Sequence, residues 1–291
     1  MGELFSLLCA VVWAVAVILF KRSGETLAPL TLNLFRIVVS LVLLAPTVLA
    51  VDGPLWRPAP WQDYAVLAGS GVLAIAVADT LFHRSLNVVG AGITAVIDCL
   101  YSPLVVAFAF LLIGERLSAP QLAGMVLVVG GVLIASQHAP PPGIGRAELV
   151  RGVLTGAAGM AALALGIVVA KPVLDRSPVL WATTVRQVGA LAVIGPVALL
   201  SPDRRRHLAA FRPHRAWRFS LTGAVLGSYL ALILWLAGMK YTQAGAAAIL
   251  NQTSTIYVLL LASLVLGEPM TRRKVAAAAL AVAGIVLVTL G

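Results

Sequence analysis

The sequence predicts an all-α integral membrane protein with ten transmembrane helices, arranged as two inverted five-helix repeats. Of its 291 residues, 60% are apolar and 11% are charged, whereas soluble domains contain about 25% charged residues. The mean hydropathy of +1.00 agrees with a membrane protein. Cys9 and Cys99 lie in separate apolar runs without metal-ligand spacing, so they indicate neither a disulfide framework nor a metal motif.

Ten apolar windows are long enough to be interpreted as membrane spans, because a helix needs roughly 20 apolar residues to cross a bilayer core of about 30 Å. Short separators with turn residues divide the windows, for example Asp52-Gly53-Pro54. The predicted spans are residues 4–20, 30–50, 64–83, 92–113, 121–135, 149–170, 180–200, 219–239, 245–266 and 275–290.

Internal repetition predicts how these spans are organised. Residues 6–46 align with residues 156–196 at an offset of 150, and farther along an offset of 153 aligns Gly114-Glu115 with Gly267-Glu268. Each repeat holds five spans, an odd number, so the second repeat enters the membrane from the opposite side. Inverted repeats are typical of secondary transporters with a site near the bilayer midplane. The predicted units are a first repeat, a Pro-rich linker and a second repeat, at residues 1–136, 137–147 and 148–291.

Several motifs resemble those of a known family. They are Trp13 in the first helix, Lys21 at its end, Arg36 in the second helix, the segment LAGMKYTQA at 236–244, and the Gly-Glu step that ends helices 4 and 9. On these residues the whole chain resembles the drug/metabolite transporter superfamily and, within it, the EamA-type ten-helix transporters. The first-repeat counterpart of the 236–244 segment departs from the family pattern, which bears on the substrate class.

The resemblance implies a midplane cavity lined by helices 1, 3, 4, 6, 8 and 9. Tyrosine and tryptophan offer flat apolar walls with one polar group each, and amides donate and accept hydrogen bonds without charge. Each aromatic residue has the alternative of facing lipid or the membrane interface. The candidate substrate-binding residues are Trp13, Asp79, His83, Asp98, Tyr101, Tyr229, Trp235, Asn251, Gln252 and Tyr257.

Three of these candidates are ionisable and predict a second role. Ionisable side chains at membrane depth are costly and usually face the bundle interior. We call the side at which the first helix begins side A and the other side B. Asp79 and Asp98 fall at similar depths near side B, and His83 follows Asp79 by four residues on the same helical face. One hypothesis is a protonation site that couples transport to protons, and the alternative is static neutralisation by Arg36 and Arg84.

Charged residues near helix ends predict pairs between the repeats. Glu115 ends helix 4 on side A, and Glu268 ends helix 9 on side B. Such pairs are either permanent braces or gates that exchange during transport. The predicted pairs are Glu115 with Lys171 or Arg186, and Glu268 with Lys21 or Arg36.

The function that these observations favour is a secondary transporter that exports a small metabolite. Within the family, the resemblance points to amino acids, including aromatic ones, ahead of drugs or nucleobase-like metabolites. The alternative from another class is an intramembrane enzyme using Asp79, His83 and Asp98, but the chain carries no HExxH, GxSxG or P-loop motif. No cofactor, metal or nucleic acid is expected. The expected partners are the substrate, membrane lipid and protons, and the chain is expected to be a monomer or homodimer.

Basic residues predict the orientation in a bacterial inner membrane. Of the 21 lysines and arginines, side A receives Arg57, Arg116, Lys171, Arg176 and Lys240, and all the others except Arg36 and Arg186 fall on side B. Cytoplasmic loops carry an excess of Lys and Arg, so side B is predicted to be cytoplasmic and both termini to lie outside.

A reporter fused after Gly291 tests this orientation and the even number of spans. Because the C-terminus is predicted to lie outside, fused alkaline phosphatase is expected to be active and fused green fluorescent protein to be dark. Activity measurements on both fusions in whole cells check this. A fluorescent, phosphatase-inactive pair would contradict the orientation drawn from the charge distribution.

Overall fold

The computed structural model describes residues 1–24, 27–135, 144–213, 217–258, 261 and 272–291, and all regular elements within them are helices. Apolar helices satisfy their own backbone hydrogen bonds, which a bilayer cannot do for them. The all-α prediction is therefore confirmed over these ranges. The helices of the first half are α1 (Gly2–Gly24), α2 (Pro29–Val51), α3 (Trp61–Gly71), α4 (Ala78–Asp98), α5 (Tyr101–Ile113) and α6 (Ala119–Ala135).

The second half begins with the longest helix, α7, whose buried side chains form the centre of the main apolar core. The helices of this half are α7 (Arg146–Asp175), α8 (Val179–Leu200), α9 (Arg204–Ala209), α10 (Trp217–Gly223), α11 (Ala231–Tyr241), α12 (Ala244–Gln252) and α13 (Arg272–Leu290). Two π-helical segments join α3 to α4 and α10 to α11, at Val72–Val77 and Ala224–Leu230.

Seven segments in the described part of the chain are long and apolar enough to span a membrane. Two shorter apolar helices, Ala119–Ile134 and Val275–Leu290, coincide with the predicted fifth and tenth spans. The predicted ninth span, 245–266, lies partly outside the described residues. The membrane character is therefore shown, and the count of ten spans stays a prediction. The seven segments are Gly2–Phe20, Leu30–Val51, Trp61–Phe82, Val96–Ile113, Arg146–Asp175, Val179–Leu200 and Trp217–Tyr241.

The third and fourth predicted spans form a hairpin, although the backbone is helical throughout 61–98. A methyl group placed on Gly156 of α7 would lie 3.0 Å from the Ser85 Cβ and 3.1 Å from the Ile97 Cδ1. Twelve residues of straight helix span about 18 Å, so the chain must reverse between Ser85 and Ile97. Lys171, farther along α7, lies 3.8 Å from Glu115, which shows that α5 runs parallel to α7 after the reversal.

The two π-helical segments occupy equivalent positions in the repeats, because Val72–Val77 shifted by 153 falls on 225–230. A π-helical turn interrupts the regular hydrogen-bond ladder and often marks functional sites. The Ser228 carbonyl oxygen accepts hydrogen bonds from the Ser40 hydroxyl (2.5 Å) and the Gln187 amide (2.9 Å). The segment thus links three helices from both repeats.

Equivalent contacts join the repeats on two sides. On one side, α1 packs against α11, where Gly238 faces the Ser6 hydroxyl; on the other, α7 packs against α4, where Gly156 faces the Ser85 hydroxyl. Ser6 is the repeat counterpart of Gly156, and Ser85 is the counterpart of Gly238. The serine and glycine therefore exchange places between two matching crossings, as a two-fold relation requires.

Helices that are repeat counterparts of each other also run antiparallel. Along α2 and α8, the Asp52 carboxylate accepts a hydrogen bond from the Trp181 amide (3.0 Å), and the Ser40 hydroxyl accepts one from Gln187 (2.7 Å). In α6 and α13, Gly124 faces Gly284 across a close backbone approach. Antiparallel counterparts are the packing that inverted repeats predict.

Glycine at the crossing of α3 and α8 is predicted to be required for stability. A methyl group on Gly71 would overlap the Arg186 backbone, whereas one on the neighbouring Gly69 would meet nothing within 4 Å. Gly71→Ala is expected to cost about 1–3 kcal/mol through overpacking, and Gly69→Ala to be neutral or stabilising because alanine favours helix. Thermal melting of both variants in detergent checks this, and equal melting temperatures would contradict the crossing.

Candidate functional site

A cavity of about 220 Å³ lies between the two repeats. Neither repeat forms the cavity alone, because residues from both repeats line it. They come from both π-helical segments and from α1, α2, α4, α5, α7, α8, α11 and α12. Most of the wall is apolar, with a few polar groups converging on the space, which is the usual character of a small-molecule site. Seven predicted binding residues line it: Trp13, Asp79, Asp98, Tyr101, Trp235, Asn251 and Gln252.

The other three predicted binding residues have different positions. Tyr229 and Tyr257 do not line the cavity, and the Tyr229 hydroxyl instead lies 2.8 Å from the Thr47 hydroxyl of α2. His83 belongs to α4, but its side chain lies outside the part of the chain that the structure describes. Its role in a protonation site therefore stays a prediction.

Asp98 provides a carboxylate to the cavity. One of its oxygens accepts a hydrogen bond from the Gln252 amide at 3.0 Å. Because Gln252 is uncharged, it orients the carboxylate without neutralising it. Within the described residues, Asp98 forms no salt bridge, so its charge can act on a ligand.

Arg36, predicted to pair with Glu268 or to neutralise the acidic residues near side B, lines the cavity. Its Nε donates a hydrogen bond to the Ser228 hydroxyl at 2.9 Å, and its guanidinium lies 4.5 Å from the centre of the Phe20 ring. An electrostatic interaction links it to Asp79. Glu268 lies outside the described residues, as does the side chain of Lys21, so the predicted pairs of Glu268 stay untested.

The Asn251 side chain presents an open hydrogen-bonding group. Both its amide nitrogen and its amide oxygen are buried and have no partner among the described residues. A buried amide without partners loses the hydrogen bonds that water would give it, at a cost of about 1–3 kcal/mol. A polar ligand in the cavity would satisfy it.

Two tryptophans from different repeats form part of the wall. Trp13 of α1 packs edge-on against Phe20 at 6.3 Å, and the Arg36 guanidinium lies 5.8 Å from its ring. Trp235 of α11 lies beside the Arg186 guanidinium at 5.6 Å. Such rings offer broad apolar contact to a planar group.

Other polar residues at the cavity were not predicted. Gln187 and Ser228 line it and are joined through the π-helical segment. Gln187 in an apolar span was a usable signal, since buried amides need partners. The exposure of the Ser228 carbonyl was not readable, because it depends on a local π-helical turn. Metal binding has no support within the described ranges, where no cluster of three His, Cys, Asp or Glu is found.

Ion pairs join the helices on side A. Lys171 Nζ lies 3.8 Å from Glu115 and 2.7 Å from Asp175, and the Ala244 backbone amide donates to Glu115 at 2.8 Å. Glu115 thereby connects α7 with the start of α12 in one cross-repeat contact. Arg186, the alternative predicted partner of Glu115, is not in this group. A second pair on side A joins Arg176 to Asp63 at 2.5 Å.

The comparisons with known proteins agree with this architecture. A model of the EamA-like transporter family matches residues 1–137 and 150–290, which confirms the family resemblance seen in the sequence. A relative from Archaeoglobus fulgidus, described as an uncharacterized transporter, is 20% identical over 282 residues, covering 95% of this chain and 94% of its own. A solved structure described as a crystal structure of a protein matches with a TM-score of 0.81 and 20% identity, over 99% of this chain and 96% of its own. At that identity the match shows the fold.

Burial raises the pKa of the Glu115 carboxyl above its ordinary value of 4.5, and Lys171 opposes the rise. A raised pKa means that this group's contribution to stability is complete below about pH 4.5 and is lost as the pH rises through the folded-state pKa. Glu115→Gln is therefore expected to melt at the wild-type temperature or higher at pH 7, and to lose this pH dependence.

Lys171→Met is the matched variant on the other side of the pair. It leaves the Glu115 carboxylate half buried without its cation, so a fall of about 3 °C or more in melting temperature is expected at pH 7. Adding Glu115→Gln to the Lys171→Met variant should restore most of the lost melting temperature, because the double variant has no ionised carboxylate at this position. Equal destabilisation by both single variants would contradict this account.

Proposed function

The chain belongs to the EamA-like transporter family, and we propose that it exports a small zwitterionic metabolite, an amino acid and foremost an aromatic one, by alternating access around the cavity between its repeats. The observation that carries this proposal is the composition of the cavity wall. Two tryptophans face one space together with a carboxylate (Asp98) and an amide (Asn251) that have, among the described residues, no ionised partner and no hydrogen bond respectively.

Each part of an aromatic amino acid has a counterpart in this wall. The substrate's ammonium group pairs with Asp98, which Gln252 holds in place. Its ring packs against Trp13 and Trp235, and its carboxylate accepts a hydrogen bond from the Asn251 amide. Both hydrogen bonds involve an ionised group and are therefore charge-assisted, but only the bond to Asp98 joins two opposite charges, so Asp98 supplies the larger polar contribution.

The proposed route starts from side B. Arg36 lies seven residues, or about 10 Å, from the side B end of α2 and twice that distance from the side A end. Side A is held by the Glu115–Lys171 and Asp63–Arg176 pairs between the repeats. In the proposed ten-span topology with side B in the cytoplasm, substrate enters from the cytoplasm and leaves once the side A pairs open.

Coupling to protons is assigned to Asp98 in this proposal. Its carboxylate faces the substrate and is bonded to a neutral amide, so it can bind either a proton or the substrate's ammonium group, but not both. Competition for one carboxylate is sufficient to exchange a proton for a substrate. Asp79 is engaged with Arg36 and serves as its counter-ion.

Counterflow in proteoliposomes tests the substrate class. Vesicles preloaded with L-phenylalanine are expected to take up labelled L-phenylalanine faster than vesicles preloaded with uridine or glucose 6-phosphate. Asn251→Ala is expected to raise the half-saturation concentration of L-phenylalanine about tenfold, because it removes one hydrogen bond to an ionised group. Tyr229→Phe, a change outside the cavity, serves as the control. Exchange with uridine alone would discard the amino-acid assignment and keep the transporter.

Asp98→Asn separates coupling from binding. The variant is expected to retain slow counterflow but to lose accumulation driven by a pH gradient, because asparagine cannot exchange a proton. Paired measurements with and without the gradient check this. Gradient-driven accumulation equal to that of the wild type would contradict the role of Asp98.

A further inference from the structure

Arg186 of α8 is buried directly behind the cavity wall. Its side chain is 0% exposed, and one guanidinium nitrogen donates to the Ser70 hydroxyl. Its Nε and second terminal nitrogen have no hydrogen-bond partner among the described residues. The guanidinium lies 5.6 Å from the Trp235 ring and interacts electrostatically with Tyr101, and both of these residues line the cavity.

The repeat relation shows what Arg186 lacks. Arg186 is the counterpart of Arg36 at the offset of 150, and Arg36 interacts with Asp79. At the offset of 153, the counterpart of Asp79 is Leu232, one turn before Trp235 on α11. The first repeat therefore supplies a counter-ion for its arginine, and the second repeat places a leucine where that counter-ion would be.

An arginine keeps its charge in a protein interior, so this arrangement is costly. Buried charges require a paired ion and hydrogen bonds. In the described part of the chain, Arg36 and Asp79 offset one another, and Asp98 and Arg186 remain as one anion and one cation without ionised partners. A zwitterion carries the two complementary charges.

We propose that Arg186 binds the carboxylate of the transported substrate, once the Trp235 indole turns away from the guanidinium. This inference rests on the proposed function and identifies the residue that binds the substrate's carboxylate. The ammonium group stays at Asp98, and the carboxylate bridges the Asn251 amide and Arg186. A substrate without a carboxylate leaves Arg186 unpaired, so the site selects for zwitterions and carboxylates over amines.

Three related probes separate the two ends of the substrate. L-Phenylalanine carries both charges, 3-phenylpropanoate carries only the carboxylate, and 2-phenylethylamine carries only the ammonium group. Their dissociation constants are measured on the full chain in nanodiscs by calorimetry. Arg186→Gln is expected to raise the dissociation constants of phenylalanine and 3-phenylpropanoate at least tenfold. The dissociation constant of 2-phenylethylamine should stay within twofold of the wild-type value.

A second variant keeps the test decisive if Arg186→Gln does not fold. Leu232→Asp gives Arg186 the internal counter-ion that Arg36 already has. It is expected to weaken the binding of both carboxylate probes at least tenfold. The binding of 2-phenylethylamine should be unchanged or stronger. Leu232→Asn introduces a polar group of the same size without charge. Its loss of affinity for the two carboxylate probes should be several-fold smaller than that of Leu232→Asp.

The outcomes distinguish this proposal from the proposed function. If the wild type binds phenylalanine and neither Arg186→Gln nor Leu232→Asp changes its affinity, the role of Arg186 is wrong and the amino-acid assignment stands. If the affinity for all three probes falls equally in both variants, Arg186 has a structural role and the proposal is overturned. If the wild type binds none of the probes, the aromatic amino-acid assignment and the Arg186 proposal both fail.

Discussion

A polar group inside a bilayer has to find its partner within the protein, and the organisation of the cavity depends on this constraint. Ser40 and Gln187 meet it by bonding to the Ser228 carbonyl, which the π-helical segment makes available. Asp98 meets it through Gln252. Several buried polar atoms in the described part of the chain do not meet it; among them, those of Asn251 and the Gln187 Oε1 lie at the cavity, and those of Arg186 lie directly behind it. Their unmet hydrogen bonds identify where a ligand is expected.

The two-fold packing explains why the cavity exists at all. Matching crossings, with Ser6 on Gly238 and Ser85 on Gly156, bring the repeats into close contact on both sides. Small residues permit this approach, as they do between membrane helices in general. Between these two contacts lie the π-helical segments, where the helices widen and the polar side chains collect. The charged wall is asymmetric because sequence differences, such as Asp79 against Leu232, break the symmetry.

Much of the architecture was predictable from apolar periodicity, charge and the repeat. Seven cavity-lining residues were found because polar and aromatic residues are conspicuous within apolar spans. Tyr229 was placed in the same set, but a side chain's direction around a helix depends on packing, and its hydroxyl lies against Thr47. Arg36 was expected at membrane depth as a partner of Glu268 or a neutralising cation, and it lines the cavity, where it makes cation–π contacts with Phe20 and Trp13. The π-helical segments have no composition signal.

Transport through the cavity between the repeats requires that this cavity be reached from side B in the proposed cycle. Ser254 lines this cavity and is partly exposed, so a variant with Cys9→Ser, Cys99→Ser and Ser254→Cys carries one reporter thiol in the site. The decisive measurement is its modification by a charged methanethiosulfonate applied to one side of sealed vesicles at a time. Modification from side B and protection by L-phenylalanine are expected. Modification from side A alone, or no protection by any amino acid, would contradict this cycle.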